Sequence, residues 1–66
     1  MKVRIDTGDD ALYFELDDTE IVESEEVQPG IIMDFDQDGR LVGIEILDLS
    51  TRLTPEKLRL MQFETA

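Results

Sequence analysis

The most regular spacing of potential ligand residues in this 66-residue chain lies in its middle. Asp34, Asp36, Asp38, Gly39 and Glu45 fit the pattern D-x-[DN]-x-[DN]-G-x₅-E letter for letter. In that pattern spaced carboxylates, one backbone carbonyl and a bidentate glutamate surround a hard cation such as calcium. The spacing therefore raises the hypothesis of a divalent-cation site, with Asp34, Asp36 and Asp38 as its first ligands.

The flanking residues and the expected hairpin register argue against that site. A calcium loop of this type joins two helices, whereas proline and glycine precede the first ligand and the last ligand lies in a strand-like segment. A four-residue turn at Asp36–Gly39 predicts that Phe35 pairs with Arg40. Glu45 is then four residues along the strand from Asp34, or ~13 Å, too far to share one ion. Cation binding remains the alternative function.

Composition limits catalysis, because the chain contains no cysteine and no histidine. Disulfides, thiolate nucleophiles and zinc ribbons are excluded, and the commonest general base near neutral pH is missing. Ser24, Ser50 and Tyr13 remain as candidate nucleophiles, but none has a basic neighbour in sequence to activate it. We therefore expect no enzymatic activity, no catalytic residue and no cofactor.

The net charge of the chain limits the classes of partner that it is expected to bind. Seventeen acidic against six basic residues give a net charge of -11. Such a field repels phosphate, so direct nucleic-acid binding and adsorption to an anionic membrane are not expected. No apolar run approaches the ~20 residues of a membrane-spanning helix, and the N-terminus lacks a signal-like apolar region. The expected location is the cytoplasm.

Alternation of polar and apolar residues predicts a sheet. Strands are expected at Lys2–Asp6 and Ala11–Leu16, joined by a turn at residues 7–10. The charged middle of Ile21–Val27 is typical of an edge strand, and Pro29 with Gly30 ends it. A central hairpin follows. Its apolar face should comprise Ile31, Met33, Phe35, Val42, Ile44 and Ile46.

The last segment changes to helical spacing. Thr54 is predicted as the N-cap, Pro55 as the first helical residue, and Leu53 with Leu58 as a hydrophobic staple. A helix over Pro55–Phe63 is too short to persist alone, so it must dock on the sheet. The expected fold is α+β, an antiparallel β-meander of four to five strands with one C-terminal helix packed on it. Residues 1–66 form a single domain, with residues 54–64 as its helical segment.

The outer face of the central hairpin is the predicted contact surface. Ile32, Leu41 and Leu47 should share that face with acidic residues, which suits a protein partner that carries basic and apolar groups. Self-association is an alternative, because a chain of this length buries only about 60% of its unfolded surface and a homodimer would enlarge the core.

Several segments together resemble the domain of unknown function 2283 family. The segments are Asp9-Asp10-Ala11-Leu12-Tyr13, Glu23-Ser24-Glu25-Glu26-Val27, Pro29-Gly30-Ile31, Asp34-Phe35-Asp36, Asp38-Gly39 and Val42-Gly43-Ile44-Glu45-Ile46-Leu47. The resemblance covers residues 2–53. It implies a small, mainly bacterial β-rich protein with no established activity, in which Asp38-Gly39 forms a hairpin turn. Association of similar proteins with toxin-like neighbours makes an antitoxin-like role conceivable. The function expected from the sequence is a small acidic protein-binding module.

Overall fold

The structure is a computed structural model that describes residues 1–65. It contains a five-stranded antiparallel sheet and two short helical segments at the C-terminal end. The strands are β1 (Lys2–Asp6), β2 (Ala11–Glu15), β3 (Glu23–Gln28), β4 (Ile31–Phe35) and β5 (Leu41–Ile46); the 3₁₀ turn η1 is Leu49–Thr51 and the helix α1 is Pro55–Arg59. The predicted α+β class, antiparallel sheet and C-terminal helix are confirmed.

The strand order differs from the predicted meander. The order is β1-β2-β5-β4-β3, so β5 occupies the centre and pairs with both β2 and β4. The segment from Leu16 to Val22 therefore crosses the end of the sheet, where its first and last backbone N–H groups bond to Val42 and Phe35. As predicted, the acidic strand β3 lies at an edge, and all six of its residues are exposed. At this central position the backbone of β5 forms hydrogen bonds with a strand on each side.

The register of the β4–β5 hairpin is shifted by two residues from the prediction. Gly39 has φ +77° and the turn at Asp36–Gly39 forms as expected, but the backbone N–H of Asp36 bonds to Arg40 and leaves a loop of only three residues. A bulge at Val42 adds the second shift, because Phe35 pairs with Leu41 while the preceding residue of β4 pairs with Gly43. The predicted pairing of Phe35 with Arg40 was wrong because of the shorter loop, and the bulge then shifts the rest of the hairpin by a second residue.

Alternation along the five strands gives the sheet two different faces. The apolar face carries Val3, Ile5, Leu12, Phe14, Ile31, Met33, Phe35, Leu41, Ile44 and Ile46, together with Glu23 and Glu25 at the β3 edge. The polar face carries Lys2, Arg4, Tyr13, Glu15, Ser24, Glu26, Ile32, Asp34, Gly43 and Glu45.

The fold is essentially one layer thick, and its core is correspondingly thin. The buried hydrophobic residues are Ala11, Val42 and Leu49, and no large side chain among the described residues is fully buried. Most residues of the apolar face are half-exposed, with Ile5 the most accessible at 38%. An apolar sheet face is stabilised by packing against a second layer. The partial burial of this face shows that the C-terminal residues, as far as residue 65, form only part of such a layer.

The helix begins as predicted but ends early. Thr54 accepts a hydrogen bond of 3.2 Å from the backbone N–H of Lys57, and Pro55 is the first helical residue. Leu53 and Leu58 line one cleft, as the staple requires. The helix stops at Arg59 instead of Phe63, and it contributes no buried residue. A five-residue helix of this kind has too little apolar contact with the sheet to continue.

Two side chains attach the C-terminal segment to the sheet. Asp10 accepts hydrogen bonds from the backbone N–H of Ser50 at 2.9 Å and from its hydroxyl at 2.7 Å. Arg52 donates to the backbone carbonyls of Leu47 and Pro29. The region after β5 is thus fixed to the β1–β2 and β3–β4 turns. In residues 1–65, no helix has the length and apolarity to cross a membrane.

Candidate functional site

The polar face is organised in two rows that run across the strands. Residues paired across an antiparallel sheet project on the same side with Cβ atoms about 5 Å apart. The first row is Arg4, Tyr13, Glu45, Ile32 and Glu26, and the second row is Lys2, Glu15, Gly43, Asp34 and Ser24. Basic groups therefore lie at the β1 end of both rows, and the acidic groups lie in the middle and toward β3.

A hydrogen-bonded cluster lies at the centre of the polar face. The hydroxyl of Tyr13 donates to Oδ2 of Asp34 at 2.9 Å, and the hydroxyl of Ser24 donates to Oδ1 at 2.6 Å. Asp34 is 8% exposed, so both bonds offset the cost of removing its carboxylate from water. The cluster links β2, β4 and β3 through side chains alone.

Gly43 makes the cluster possible. It lies on β5 between Tyr13 and Asp34, and it is buried beneath the tyrosine ring. A Cβ at this position would overlap the Tyr13 hydroxyl and would lie 2.7 Å from Cζ. A glycine within a strand often marks such a close approach, and this is the sequence signal that indicates the cluster.

The electrostatics of the cluster keep Tyr13 protonated. Burial raises its pKa to about 12 from 10.0, and the hydrogen bond to Asp34 and the negative charge of that carboxylate act in the same direction. The guanidinium of Arg4 lies 5.7 Å from the centre of the Tyr13 ring, within the range of a cation–π contact. At neutral pH the hydroxyl is therefore a hydrogen-bond donor and not a nucleophile.

Ile32 is the apolar centre of the polar face. It is paired with Glu26 on β3 and with Glu45 on β5, so a half-buried aliphatic side chain lies between two carboxylates. The predicted contact residues Leu41 and Leu47 are also half-buried, but they are placed differently. Leu41 pairs with Phe35 beyond the bulge, and Leu47 follows β5 and lies against Gly30. The structure therefore does not bring the three into one continuous patch.

The residues of the calcium pattern have other roles. Oδ1 of Asp36 accepts hydrogen bonds of 2.9 Å from the backbone N–H groups of Asp38 and Arg40, and thereby fixes the turn. Asp34 is occupied by its two hydroxyl donors. With the observed register, Glu45 is two residues along the strand from the position opposite Asp34, or ~7 Å instead of ~13 Å. Within residues 1–65, no group of three or more acidic side chains is placed to hold a metal ion.

The hollow on the polar face, among residues 1–65, is small. It measures about 110 Å³ and is lined by Arg4, Asp6, Asp9, Ala11, Tyr13 and Glu45. Small-molecule sites usually measure ~300–1,000 Å³. The hollow on the polar face is therefore smaller than a usual small-molecule site.

Comparison with known proteins identifies the family of this chain but assigns it no activity. The family described as "protein of unknown function (DUF2283)" matches residues 2–50, which is most of the chain and all five strands. The resemblance expected from the sequence is confirmed, although the match ends three residues earlier. No curated protein and no solved structure matches the chain. This protein, with its acidic five-stranded sheet, belongs to the DUF2283 family.

Proposed function

We propose that this protein is a non-enzymatic protein-binding module whose polar face receives a basic partner. The observation that carries the proposal is the row in which Ile32 lies between Glu26 and Glu45. Interfaces commonly combine an apolar centre that excludes water with a polar rim that fixes the partner. A partner with an aliphatic side chain flanked by Lys or Arg would match this row.

The charge of the whole chain supports the same class of partner. A net charge of -11 accelerates the encounter with a basic protein and disfavours acidic ones. The cluster of Tyr13, Asp34 and Ser24 shares Tyr13 with the row and links three strands. Because the cluster connects these strands, the polar face should lose little conformational entropy when a partner binds.

The partner we propose is a basic protein in the cytoplasm, for which this chain would act in an antitoxin-like manner by covering a basic surface. Leu41 begins β5 and pairs with Phe35 of the apolar face, and Leu47 follows β5, so these two predicted contact residues lie outside the row. Divalent-cation binding, the alternative raised by the sequence, has no supporting observation, because Asp34 and Asp36 already accept hydrogen bonds within the fold.

The test is capture of interacting proteins by the tagged full chain in its native cell, with two variants that make the same substitution. Ile32→Lys places a cation between the two glutamates, whereas Ile21→Lys changes an exposed isoleucine in the β2–β3 connection. We expect the wild type and Ile21→Lys to retain the same basic protein, and Ile32→Lys to lose it. Added salt should weaken the complex, because its attraction is electrostatic.

Two results would contradict the proposal. One is recovery of no basic protein by the wild type when expression and folding are normal. The other is equal recovery by Ile32→Lys and Ile21→Lys, which would show that the polar face does not hold the partner.

A further inference from the structure

We propose that the apolar face binds a second copy of this chain, so that two sheets pack face to face around a twofold axis. This inference goes beyond the proposed function because it uses the opposite side of the sheet. The polar face of each copy would remain free for the basic partner.

The accessible surface area of the chain is larger than expected for a folded monomer of its mass, which supports a second copy over the apolar face. The chain has 5329 Å² of accessible surface, whereas a folded monomer of 7.6 kDa is expected to expose about 4,300 Å². The excess is about 1,000 Å², to which residues 60–65, outside the helix and strands, also contribute. A protomer typically buries about 800 Å² in a stable interface, so covering the apolar face brings the exposure to that of an ordinary folded protein.

Residues 1–65 cover this face only in part. The hollow between the sheet and the C-terminal residues measures about 410 Å³, and Val3, Leu12 and Phe14 line it on the sheet side. Met61 and Phe63 line the other side, yet they remain 43% and 74% exposed. Leu60 is 71% exposed. These side chains would extend the apolar surface available to a second copy.

The distribution of charge favours a second copy over a basic partner at this face. Strands β1, β2, β5 and β4 contribute ten apolar side chains and no charged one, while Glu23 and Glu25 lie at the β3 edge. A basic partner would find no carboxylate at the centre to pair with its cations, and burying them unpaired is costly. Packing against an identical apolar face buries no charge at the centre and therefore has no such cost.

Twofold symmetry also places the two edge carboxylates favourably. A rotation axis parallel to β5 lays β3 of one copy over β1 of the other, because these strands are at opposite edges of the sheet. Glu23 and Glu25 then lie at the rim, away from their counterparts, where water can solvate them. The arrangement is isologous and closed, so it yields a dimer and not a fibre.

The first test measures the mass of the full chain by sedimentation equilibrium over a series of protein and salt concentrations. We expect a mass twice that of the 7.6 kDa chain. Salt should strengthen the dimer because it screens repulsion between two copies of charge -11. This is the opposite of the salt effect expected for the basic partner, so the two proposals fail independently.

A matched pair of variants tests which face of the sheet forms the dimer. Phe14→Lys places a charge on the apolar face, and Ile32→Lys places the same charge on the polar face. We expect at least a tenfold weaker dimer for Phe14→Lys and wild-type association for Ile32→Lys, with circular dichroism used to establish that each variant is folded. A monomeric wild type at every concentration and salt level overturns the proposal, as does a dimer that only Ile32→Lys disrupts.

Cross-linking provides a test that does not depend on the lysine variants folding. The chain has no cysteine, so Ile44→Cys and Glu45→Cys each introduce one thiol on β5, on opposite faces. Packed sheets lie about 10 Å apart, so a thiol cross-linker of that length should join two copies of Ile44→Cys and not of Glu45→Cys. The reverse result, or no cross-link at Ile44→Cys, rules the dimer out.

Discussion

The hydroxyl of Tyr13 reaches Asp34 across an intervening strand, with a hydrogen bond of 2.9 Å. Tyr13 is on β2 and Asp34 is on β4, and β5 lies between them with Gly43 beneath the ring. Neighbouring strands are about 4.8 Å apart, so the side chains span roughly 10 Å. The bond therefore depends on glycine at one position in the central strand.

Replacement of Gly43 by alanine should destabilise the fold. The added Cβ would overlap the Tyr13 hydroxyl, so the ring must move and the bond to Asp34 must lengthen or break. We expect a loss of about 1–3 kcal/mol in the free energy of unfolding, measured by urea denaturation. Gly8→Ala is the control, since its Cβ meets only the movable carboxylate of Asp6 at 3.3 Å. Equal stability of Gly43→Ala and the wild type would contradict this account of the cluster.

The titration of Tyr13 should report the cluster directly. The chain has one tyrosine and no tryptophan, so tyrosinate absorbance follows a single group. Its pKa should be about 12 in the folded protein and 10.0 in the unfolded chain, mainly because burial disfavours the charged form. The folded pKa is the higher one, so the stabilisation is fully present below pH 10.0 and is lost as the pH rises toward 12.

A variant at Asp34, which accepts the hydrogen bond from Tyr13, is the matched control for that titration. Asp34→Ala removes both the hydrogen bond to Tyr13 and the nearby negative charge, which act with burial to raise the pKa. We expect the pKa of Tyr13 to move back toward 10.0 in this variant if it remains folded. An unchanged titration would show that the carboxylate does not contribute.

Asp10 should control the attachment of the C-terminal segment. It has φ +52°, and its carboxylate accepts two hydrogen bonds from Ser50. Asp10→Ala loses both bonds and strains the left-handed backbone, whereas Asp10→Asn retains an acceptor and tolerates that conformation. We expect faster amide hydrogen exchange over residues 49–58 in Asp10→Ala, with a stability loss of about 1–3 kcal/mol. Asp10→Asn should resemble the wild type; equal exchange in both variants would argue against the tether.

Calcium should have little effect on the folded protein. The carboxylate of Asp36 is already engaged by the backbone of its turn, and Asp34 is engaged by Tyr13 and Ser24. We expect millimolar calcium to leave the melting temperature unchanged and to shift only a few turn amides in an NMR titration. A saturable micromolar site that involves Glu45 would contradict this prediction.

Local features of the fold could be predicted from the sequence. Strand alternation, the turn at Asp36–Gly39 and the cap at Thr54 depend on residues only a few positions apart. The same alternation placed Ile32 and Glu45 on one face. These features follow from the chemistry of neighbouring residues, which the printed sequence contains in full.

The tertiary structure decided what depends on distant residues. Insertion of β5 between β2 and β4 brings Tyr13 to Asp34, 21 positions along the chain, and no local pattern distinguishes this order from a meander. One residue of loop length and one bulge fixed the register. Sequence alone indicated which segments form strands and which side of a strand most of their residues occupy, but the bulge at Val42 placed Leu41 on the other face. Strand order determined which of them meet, because pairing across a sheet is a long-range choice among competing backbone ladders.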